Sequence, residues 1–287
     1  MGKKEKYQIV DELRKKYPLN KLLSASGLSR STFYYHDSAK SKIDKNSELK
    51  ALIIKIYEDN FSRYGYRRIT AELHNQNVIV NHKKVLRLMK EMGLKSLIRG
   101  KKYRSYKGRL GAVPNLLNRD FKATKPGQKW VTDATEFKVG SKKLYLSPIL
   151  DLYNREIVAY NFSERPCYEL VGDMLDKAIN KLKKDDFPIL HSDQGWYYHM
   201  CYYQQKLKER NIIQSMSRKG NCLDNAVIEN FFGLLKSEVY YLNKYDTIEQ
   251  LKADIEEYIH YYNHRRIKLS LDKKSPVQYR EYYFPAA

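Results

Sequence analysis

Trp130-Val131-Thr132-Asp133-Ala134-Thr135-Glu136-Phe137 is the stretch on which the fold turns. It follows the breaker Lys125-Pro126-Gly127, and there the apolar pattern changes from helical to strand-like. Gly140-Ser141 marks a turn, Leu144 to Leu150 reads as a more apolar second strand, and Ile157-Val158-Ala159-Tyr160 as a third. A helix carrying Leu170, Met174, Leu175, Ala178, Ile179 and Leu182 follows. Next comes a buried strand, Phe187-Pro188-Ile189-Leu190, running into His191-Ser192-Asp193-Gln194-Gly195. A helix near residues 199 to 210, a strand at Ile212-Ile213-Gln214 and a long helix from about Asp224 complete the order. That order predicts an α/β fold, a ribonuclease H-like mixed five-stranded sheet flanked by helices.

Upstream the pattern is all-helical. Residues 7 to 17 read as an amphipathic helix broken by Pro18, and Leu19 to Ala25 as a second. Gly27 supplies the turn, and Ser29 is a natural N-cap for a third helix with Arg30, Ser31, Thr32, Tyr34 and Tyr35. This is helix-turn-helix spacing, with Arg30 as a candidate DNA contact. A second helical module carries Arg63-Tyr64-Gly65-Tyr66-Arg67-Arg68 and a helix capped by Asn81. That helix turns Val85, Leu86, Leu88, Met89 and Met92 inward and Lys83, Lys84, Arg87 and Lys90 outward. The connector after it holds Arg99, Lys101, Lys102, Arg104, Lys107 and Arg109, with Tyr103 and Tyr106 between them. The predicted parts are a helix-turn-helix module at 1–42, a second at 46–99, a basic linker at 100–125, the catalytic core at 126–245 and a helical extension at 246–287.

The charge is divided along the same line. The 287 residues carry a formal charge of +21; residues 1–130 hold 31 basic and 11 acidic side chains, residues 131–287 hold 23 and 22. A basic arm on a nearly neutral globular domain points to a polyanionic partner, double-stranded DNA, bound through Arg30, Arg67, Arg68, Lys83, Lys84, Arg87, Lys101, Lys102 and Arg104. Arg218 and Lys219, in the loop before the last core helix, are further candidates. Cys167, Cys201 and Cys222 are scattered and form no Cys-x-x-Cys pair, which predicts reduced structural thiols rather than a disulfide framework or zinc site. No apolar run is long enough to span a membrane and the N-terminus lacks a signal-peptide pattern, so the expectation is a soluble intracellular protein.

Three acids concentrate the chemistry. Asp133 lies within the first predicted strand, Asp193 where the fourth ends, and Glu229 on the helix from about Asp224, whose own side chain is placed to cap that helix. A buried carboxylate is costly without a cation or hydrogen-bond donors. Phosphodiester cleavage needs an activated oxygen nucleophile and relief for a leaving 3′ oxygen, and two Mg²⁺ ions about 3.5–4 Å apart, held by a few carboxylates, supply both. Asp151 and Glu136 read as structural or surface acids, and His191 as a packed histidine. Tyr261, Tyr262 and Asn263 read as core and capping residues.

Trp130-Val131-Thr132-Asp133, His191-Ser192-Asp193-Gln194-Gly195, the run from Ser215 to Ala226 and Glu229-Asn230-Phe231-Phe232 resemble the second-frame (OrfB) transposases of the IS-three family of bacterial insertion sequences. So do Tyr64-Gly65-Tyr66-Arg67-Arg68, Asn81-His82-Lys83, Tyr261-Tyr262-Asn263 with Arg265, and Ser275-Pro276-Val277-Gln278-Tyr279; the 35 residues between Asp193 and Glu229 match the family's retroviral-integrase-like triad. The resemblance implies a DDE transposase that cleaves insertion-sequence ends and joins them by direct transesterification. Asp133, Asp193 and Glu229 would be its catalytic metal ligands, and Lys236, on the face of Glu229, would meet DNA backbone. It further implies two Mg²⁺ ions with Mn²⁺ as substitute, inverted-repeat and target DNA as partners, a dimer or higher assembly on DNA, and a cytoplasmic, nucleoid-associated bacterial protein. Family enzymes are often fused by frameshift to an upstream partner with a leucine zipper. No such heptad segment precedes Met1, so an upstream-frame (OrfA) protein or fusion is an expected partner. The alternative from another class is a catalytically idle DNA-binding regulator of inverted repeats.

Overall fold

The computed structural model describes residues 2–40, 44–97, 113–183, 185–218 and 221–285. The chain forms two compact units, residues 1–54 and 55–287. In the first, α1 (Lys3–Leu13), α2 (Leu19–Ser26) and α3 (Arg30–Lys40) close on Tyr7, Val10, Leu23, Leu28 and Phe33. Gly27 ends α2 at φ 64°, a left-handed turn that a side chain would strain. Ser29 Oγ then accepts the Thr32 N–H at 3.2 Å, the expected cap of α3. The first helix lies four residues earlier than its apolar pattern indicated, and Pro18 is the N-cap of α2.

α4 (Ser47–Asp59) runs from the first unit into the second, where α5 (Tyr66–Asn75) and α6 (His82–Glu91) follow. Asn81 Oδ1 caps α6 through the Lys83 N–H at 2.8 Å, while Val85, Leu88 and Met89 are buried and Lys83, Lys84, Arg87 and Lys90 exposed. Nothing in the local pattern showed that this module is fastened to the far end of the chain. Tyr64 Oη accepts the Ile267 N–H at 2.9 Å, and Tyr261 Oη donates to Asn60 Oδ1 at 3.2 Å. Arg63 Nε donates to the Glu238 carbonyl at 3.2 Å.

The sheet contains β1 (Lys129–Thr132), β2 (Thr135–Val139), β3 (Lys142–Asp151), β4 (Ile157–Ser163), β5 (Ile189–Ser192) and β6 (Ile213–Met216). β3 pairs antiparallel with β1, β2 and β4; β1–β5 and β5–β6 are parallel. The six strands differ from the expected five because the first is broken in two. Thr132 pairs with Ile149 and Thr135 with Leu146, so the same register sets Asp133 opposite Pro148, which has no N–H to give a ladder. β1 and β2 are thus one edge of β3 interrupted at Asp133-Ala134. The mixed sheet flanked by helices is ribonuclease H-like.

α7 (Tyr168–Ile179) covers one face, burying Leu170, Met174, Leu175 and Ala178 against Trp130, Ile149 and Leu190, together with Tyr203 and Leu207 of α8 (Cys201–Glu209). α9 (Ala226–Leu235) continues into a π-turn at Lys236–Tyr240; α10 (Ile248–His264) and α11 (Pro276–Tyr283) finish the chain. Tyr261 and Tyr262 are core, as expected. Asn263 is not a cap: its amide bonds both the N–H and the carbonyl of Ile157, at 2.9 and 3.0 Å, and so fixes the start of β4. Among the described residues no helix is long and apolar enough to cross a membrane.

Candidate active site

Asp133 sits in the strand break, where its Oδ1 accepts the N–H of Ala134 at 2.7 Å. Asp193 follows the last residue of the parallel neighbour β5, and its Oδ1 accepts the Gly195 N–H at 2.9 Å. Leaving the ladder at the ends of adjacent strands is what lets these side chains approach. Glu229 lies in the first turn of α9, and Asn225 just before that helix donates its amide to the Thr132 carbonyl at 3.0 Å. This bond ties the start of α9 to the residue before Asp133.

The acids lie in electrostatically costly settings. Burial, then the Asp193 carboxylate and then Glu229, push Asp133 well above the usual carboxylate range, against the pull of its Ala134 bond and of Lys236. Asp193 is raised as well, chiefly by burial, with its Gly195 bond and His199 acting the other way. Tyr197, whose hydroxyl is raised by burial and by both aspartates, stands against the pair. Lys236 Nζ donates to Thr135 Oγ1 at 2.6 Å and lies 5.1 Å from the Phe137 ring centre. Three separate stretches of chain, 132–137, 193–199 and 225–236, therefore meet here. His199, bonded to Gln194 at 3.1 Å, and Tyr197 were missed in the sequence, since an aromatic and a histidine in a short helical turn carry no spacing signal.

The donor set suits a hard dication: two half-buried carboxylates each have one oxygen engaged by a backbone amide, and Asp193 raises Asp133 by a repulsion that a cation would offset. As the side chains stand, no three Asp, Glu, His or Cys among the described residues gather closely enough to ligate one ion. Asp133 and Asp193 make the pair, with Glu229 as the further acid that influences Asp133.

A cradle holds the Asp193 side chain. A Cβ built on Gly195 would fall 2.8 Å from Tyr197 Cε2 and 3.0 Å from Asp193 Oδ1, so the position has no room for a side chain. Gly195→Ala is expected to fold, with a stability loss of about 1–3 kcal/mol, and to weaken Mn²⁺ binding at least about tenfold as the carboxylate is displaced. Undiminished Mn²⁺ binding by a folded Gly195→Ala protein would show that this contact does not set the carboxylate.

Asp224 has a different role from the cap expected of it. α9 begins after Asn225 without a side-chain cap, and the fully buried Asp224 carboxylate receives Arg218 Nε and Nη2 at 2.9 Å, Arg119 Nε at 2.8 Å and Asn115 Nδ2 at 2.9 Å. The Arg218 bonds, then those of Arg119, hold its pKa well below the usual range against the opposing effect of burial. Residues 114–119, read as the end of the linker, thereby join the core: the Leu116 N–H also donates to Ser215 Oγ at 2.9 Å.

The candidate DNA contacts fall into separate places. Arg30, Arg67, Lys83, Lys84 and Arg87 are exposed, with Arg87 Nε 3.6 Å from Glu91. Arg68 is half-buried over the Tyr64 ring, at 5.6 Å, and Arg218 is engaged by Asp224. Lys101, Lys102, Arg104 and Lys219 lie outside the described residues. Asp151 is a buried structural acid, receiving Gly127 N–H and Trp130 Nε1 and pushed up to about 6 by burial; Glu136 pairs with Lys143 at 3.0 Å on the surface.

His191 is a packed histidine. It is fully buried, with Nδ1 2.8 Å from Ser215 Oγ and Nε2 3.1 Å from Ser217 Oγ, so it clamps β5 to β6 beneath Asp193. Burial depresses its pKa to about 4, against about 6.5 in an unfolded chain. The unfolded state therefore takes up the proton first on acidification. The stability from a neutral His191 is complete above pH about 6.5 and declines towards pH about 4, by roughly 3 kcal/mol. The raised aspartates titrate in the opposite sense, so urea unfolding of wild type and His191→Asn at pH 7 and 5 is the informative comparison. A smaller loss on acidification is expected in the variant; equal losses would contradict the assignment.

A broken first strand with an acid at the break, a second acid after the adjacent parallel strand and a third on a following helix make up the candidate site of a ribonuclease H-like core. Two stretches match models described as an integrase core domain, residues 123–222 and 229–284, and residues 44–102 match an HTH-like domain. The chain is 54% identical over 280 residues to the putative transposase InsK for insertion sequence element IS150 of Escherichia coli K12, covering 97% of this chain and 99% of the relative. It is 40% identical to the probable transposase for insertion sequence element IS1353 of Shigella flexneri, over 96% of this chain and 55% of that one. Among solved structures, the HTLV-2 integrase catalytic core domain in complex with magnesium is 17% identical, covering 55% of this chain and 99% of that chain at a TM-score of 0.45. The chain belongs to the IS-three family of insertion-sequence transposases.

Proposed function

We propose that this protein is a DDE transposase that cleaves the ends of an insertion sequence and joins the resulting 3′-hydroxyls to a second DNA. The observation that carries the reading is the pair of half-buried carboxylates at adjoining strand ends, Asp133 in the break after β1 and Asp193 after β5, with Glu229 and Asp193 both raising Asp133. These three would hold Mg²⁺, with Mn²⁺ as substitute, as two ions per site. Bound there, the metal would supply an activated oxygen nucleophile and stabilise the departing 3′ oxygen. In cleavage, a water oxygen bonds to phosphorus and the 3′ oxygen leaves; in joining, that 3′-hydroxyl attacks a second phosphodiester and expels its 3′ oxygen.

The protein's own side chains do the rest. Asn225 fixes the start of α9 against β1, and Gly195 holds the Asp193 carboxylate by its N–H. Lys236, anchored on Thr135 beside the acids, is placed to meet a phosphate of the bound strand. The exposed Arg30, Arg67, Lys83, Lys84 and Arg87 would bind duplex backbone, and with Lys101, Lys102, Arg104 and Lys219 would give a steep salt dependence. Synapsis of two ends implies a dimer or higher assembly on DNA, with an upstream-frame protein or fusion as partner, in the bacterial cytoplasm.

The test is a labelled duplex ending in the element's inverted repeat, incubated with the protein and its upstream-frame partner in Mg²⁺, Mn²⁺ or EDTA. Metal-dependent nicking at the repeat boundary, absent in Glu229→Gln while binding persists, is expected. Binding without nicking in any metal would favour the idle regulator, which needs no converging acids.

A further inference from the structure

Residues 114–119 precede β1 and are fastened to the loop before α9. The Leu116 and Leu117 N–H groups donate to Ser215 Oγ at 2.9 and 3.3 Å, and Leu117 is buried. Asn115 is engaged at both ends of its amide, Oδ1 accepting the Asn118 N–H at 2.8 Å and Nδ2 donating to Asp224 at 2.9 Å. Asn118 and Arg119 then both take left-handed backbone, at φ 43° and 64°. Asparagine tolerates that region, but arginine rarely adopts it. Here the arginine is held by its side chain: Nε donates to Asp224 Oδ1 at 2.8 Å and Nη2 to Asn221 Oδ1 at 2.9 Å.

Asp224 depends on this reach. It is fully buried, and a carboxylate out of water is costly unless cations and donors surround it. Arg218, from its own loop, supplies Nε, Nη2 and a backbone N–H. Arg119 and Asn115 supply the rest from 105 and 109 residues away. What the carboxylate then holds is the entry to α9. Asn225, the next residue, is 3% exposed and donates to the carbonyl of Thr132, one residue before Asp133, and Glu229 stands in the first turn of the helix that follows. Arg119 is thus linked through Asp224 to the chain beside one acid and to the helix that carries another.

We propose that Arg119 is a positioning residue for the metal-holding centre: it seats Asp224, and through Asp224 the start of α9, so that Glu229 can close on Asp133 and Asp193. This rests on the reading of those three acids as one metal site. The two aspartates are set by backbone amides of their own, at Ala134 and Gly195. Glu229 has its place from the helix it rides on, so whatever fixes the first turn of α9 fixes the third ligand. Groups that orient a ligand from behind typically carry about 10- to 100-fold of a metal's affinity. The joint between the basic connector and the core thereby becomes part of the metal centre.

Mn²⁺ binding to the intact protein at pH 7.5, without DNA, separates positioning from simple stabilisation. Arg119→Gln removes the charge from Asp224 and is expected to bind Mn²⁺ about tenfold more weakly at a temperature where circular dichroism shows it folded. Arg119→Lys returns a cation to Asp224 without the bond to Asn221, and should come within about threefold of the wild type. Arg280→Gln is the control: it removes an ion pair of the same length, to Glu156 on another part of the unit, and should bind Mn²⁺ as the wild type does. Wild-type affinity in a folded Arg119→Gln protein, however much lower its melting temperature, would overturn the proposal, and so would an equal loss in Arg280→Gln. Should Arg119→Gln not fold, Asn115→Ala takes its place, with at least about threefold weaker binding expected and wild-type affinity again contradicting the role. A wild type whose Mn²⁺ binding is indifferent to Asp193→Asn would instead remove the reading of the acids, and this proposal with it.

Discussion

Asp193→Asn is expected to abolish strand cleavage, by at least about 10³-fold, a barrier increase of about 4 kcal/mol, and yet to make the metal-free protein more stable. Both results have one cause. Asp193 raises Asp133 by charge repulsion in a half-buried setting, so folding holds two carboxylates in a place each would prefer to occupy uncharged. Asparagine keeps the shape and still accepts the Gly195 N–H through Oδ1, while the repulsion disappears. In EDTA at pH 7.5 the melting temperature should rise by about 2–4 °C, the effect of about 1 kcal/mol in a domain of this size. Mg²⁺ should then stabilise the wild type and leave Asp193→Asn nearly unchanged. A variant that melts below the wild type in EDTA would mean that the pair is not a strained metal-ready arrangement.

Glu238→Gln should produce the largest loss of stability of any single change in the second unit. The carboxylate accepts both Arg266 nitrogens and the Tyr258 hydroxyl, and Arg266 is almost wholly buried. Glutamine turns an amide donor towards a guanidinium and leaves a buried cation uncompensated. Breaking such a pair costs about 3–5 kcal/mol, which corresponds to a fall of roughly 10 °C in melting temperature. The damage should also reach the joint with the helical module, since the Glu238 carbonyl receives Arg63 Nε. Glu238→Gln combined with Arg266→Met should recover part of the loss, because the unpaired charge goes with it. Thermal and urea unfolding of the three proteins measure this; a fall of less than 2 °C in Glu238→Gln would place the pair outside the stabilising core.

The parts of the molecule that were legible in the sequence are those fixed by local chemistry. Gly27 with Ser29, Asn81 before α6, and the apolar spacing of α7 each encode a turn, a cap or a buried face within a few residues. The candidate site was legible to the extent that acids at strand ends and on a following helix stand out against apolar neighbours. What escaped depended on partners far away in the chain. The break at Asp133 follows from the register against Pro148, which no single strand reveals. Asp224 looked like a helix cap because its local setting allows one, but Arg119 and Arg218 offer a charged partner that backbone amides cannot match. Arg68 read as one more surface cation, and only the packing of α5 on the segment after α10 turns it towards Tyr64, Arg266 and Glu238.

The central claim is that Asp133, Asp193 and Glu229, drawn from a strand break, a strand end and a helix, act as one metal-holding centre. Mn²⁺ binding to the intact protein at pH 7.5, followed by electron paramagnetic resonance of the free ion, tests it most directly, beside Asp133→Asn, Asp193→Asn and Glu229→Gln. The account predicts that each substitution weakens binding at least tenfold, a loss of about 1.4 kcal/mol or more, with the helical fold intact. Wild-type affinity in any one of the three folded variants would contradict it.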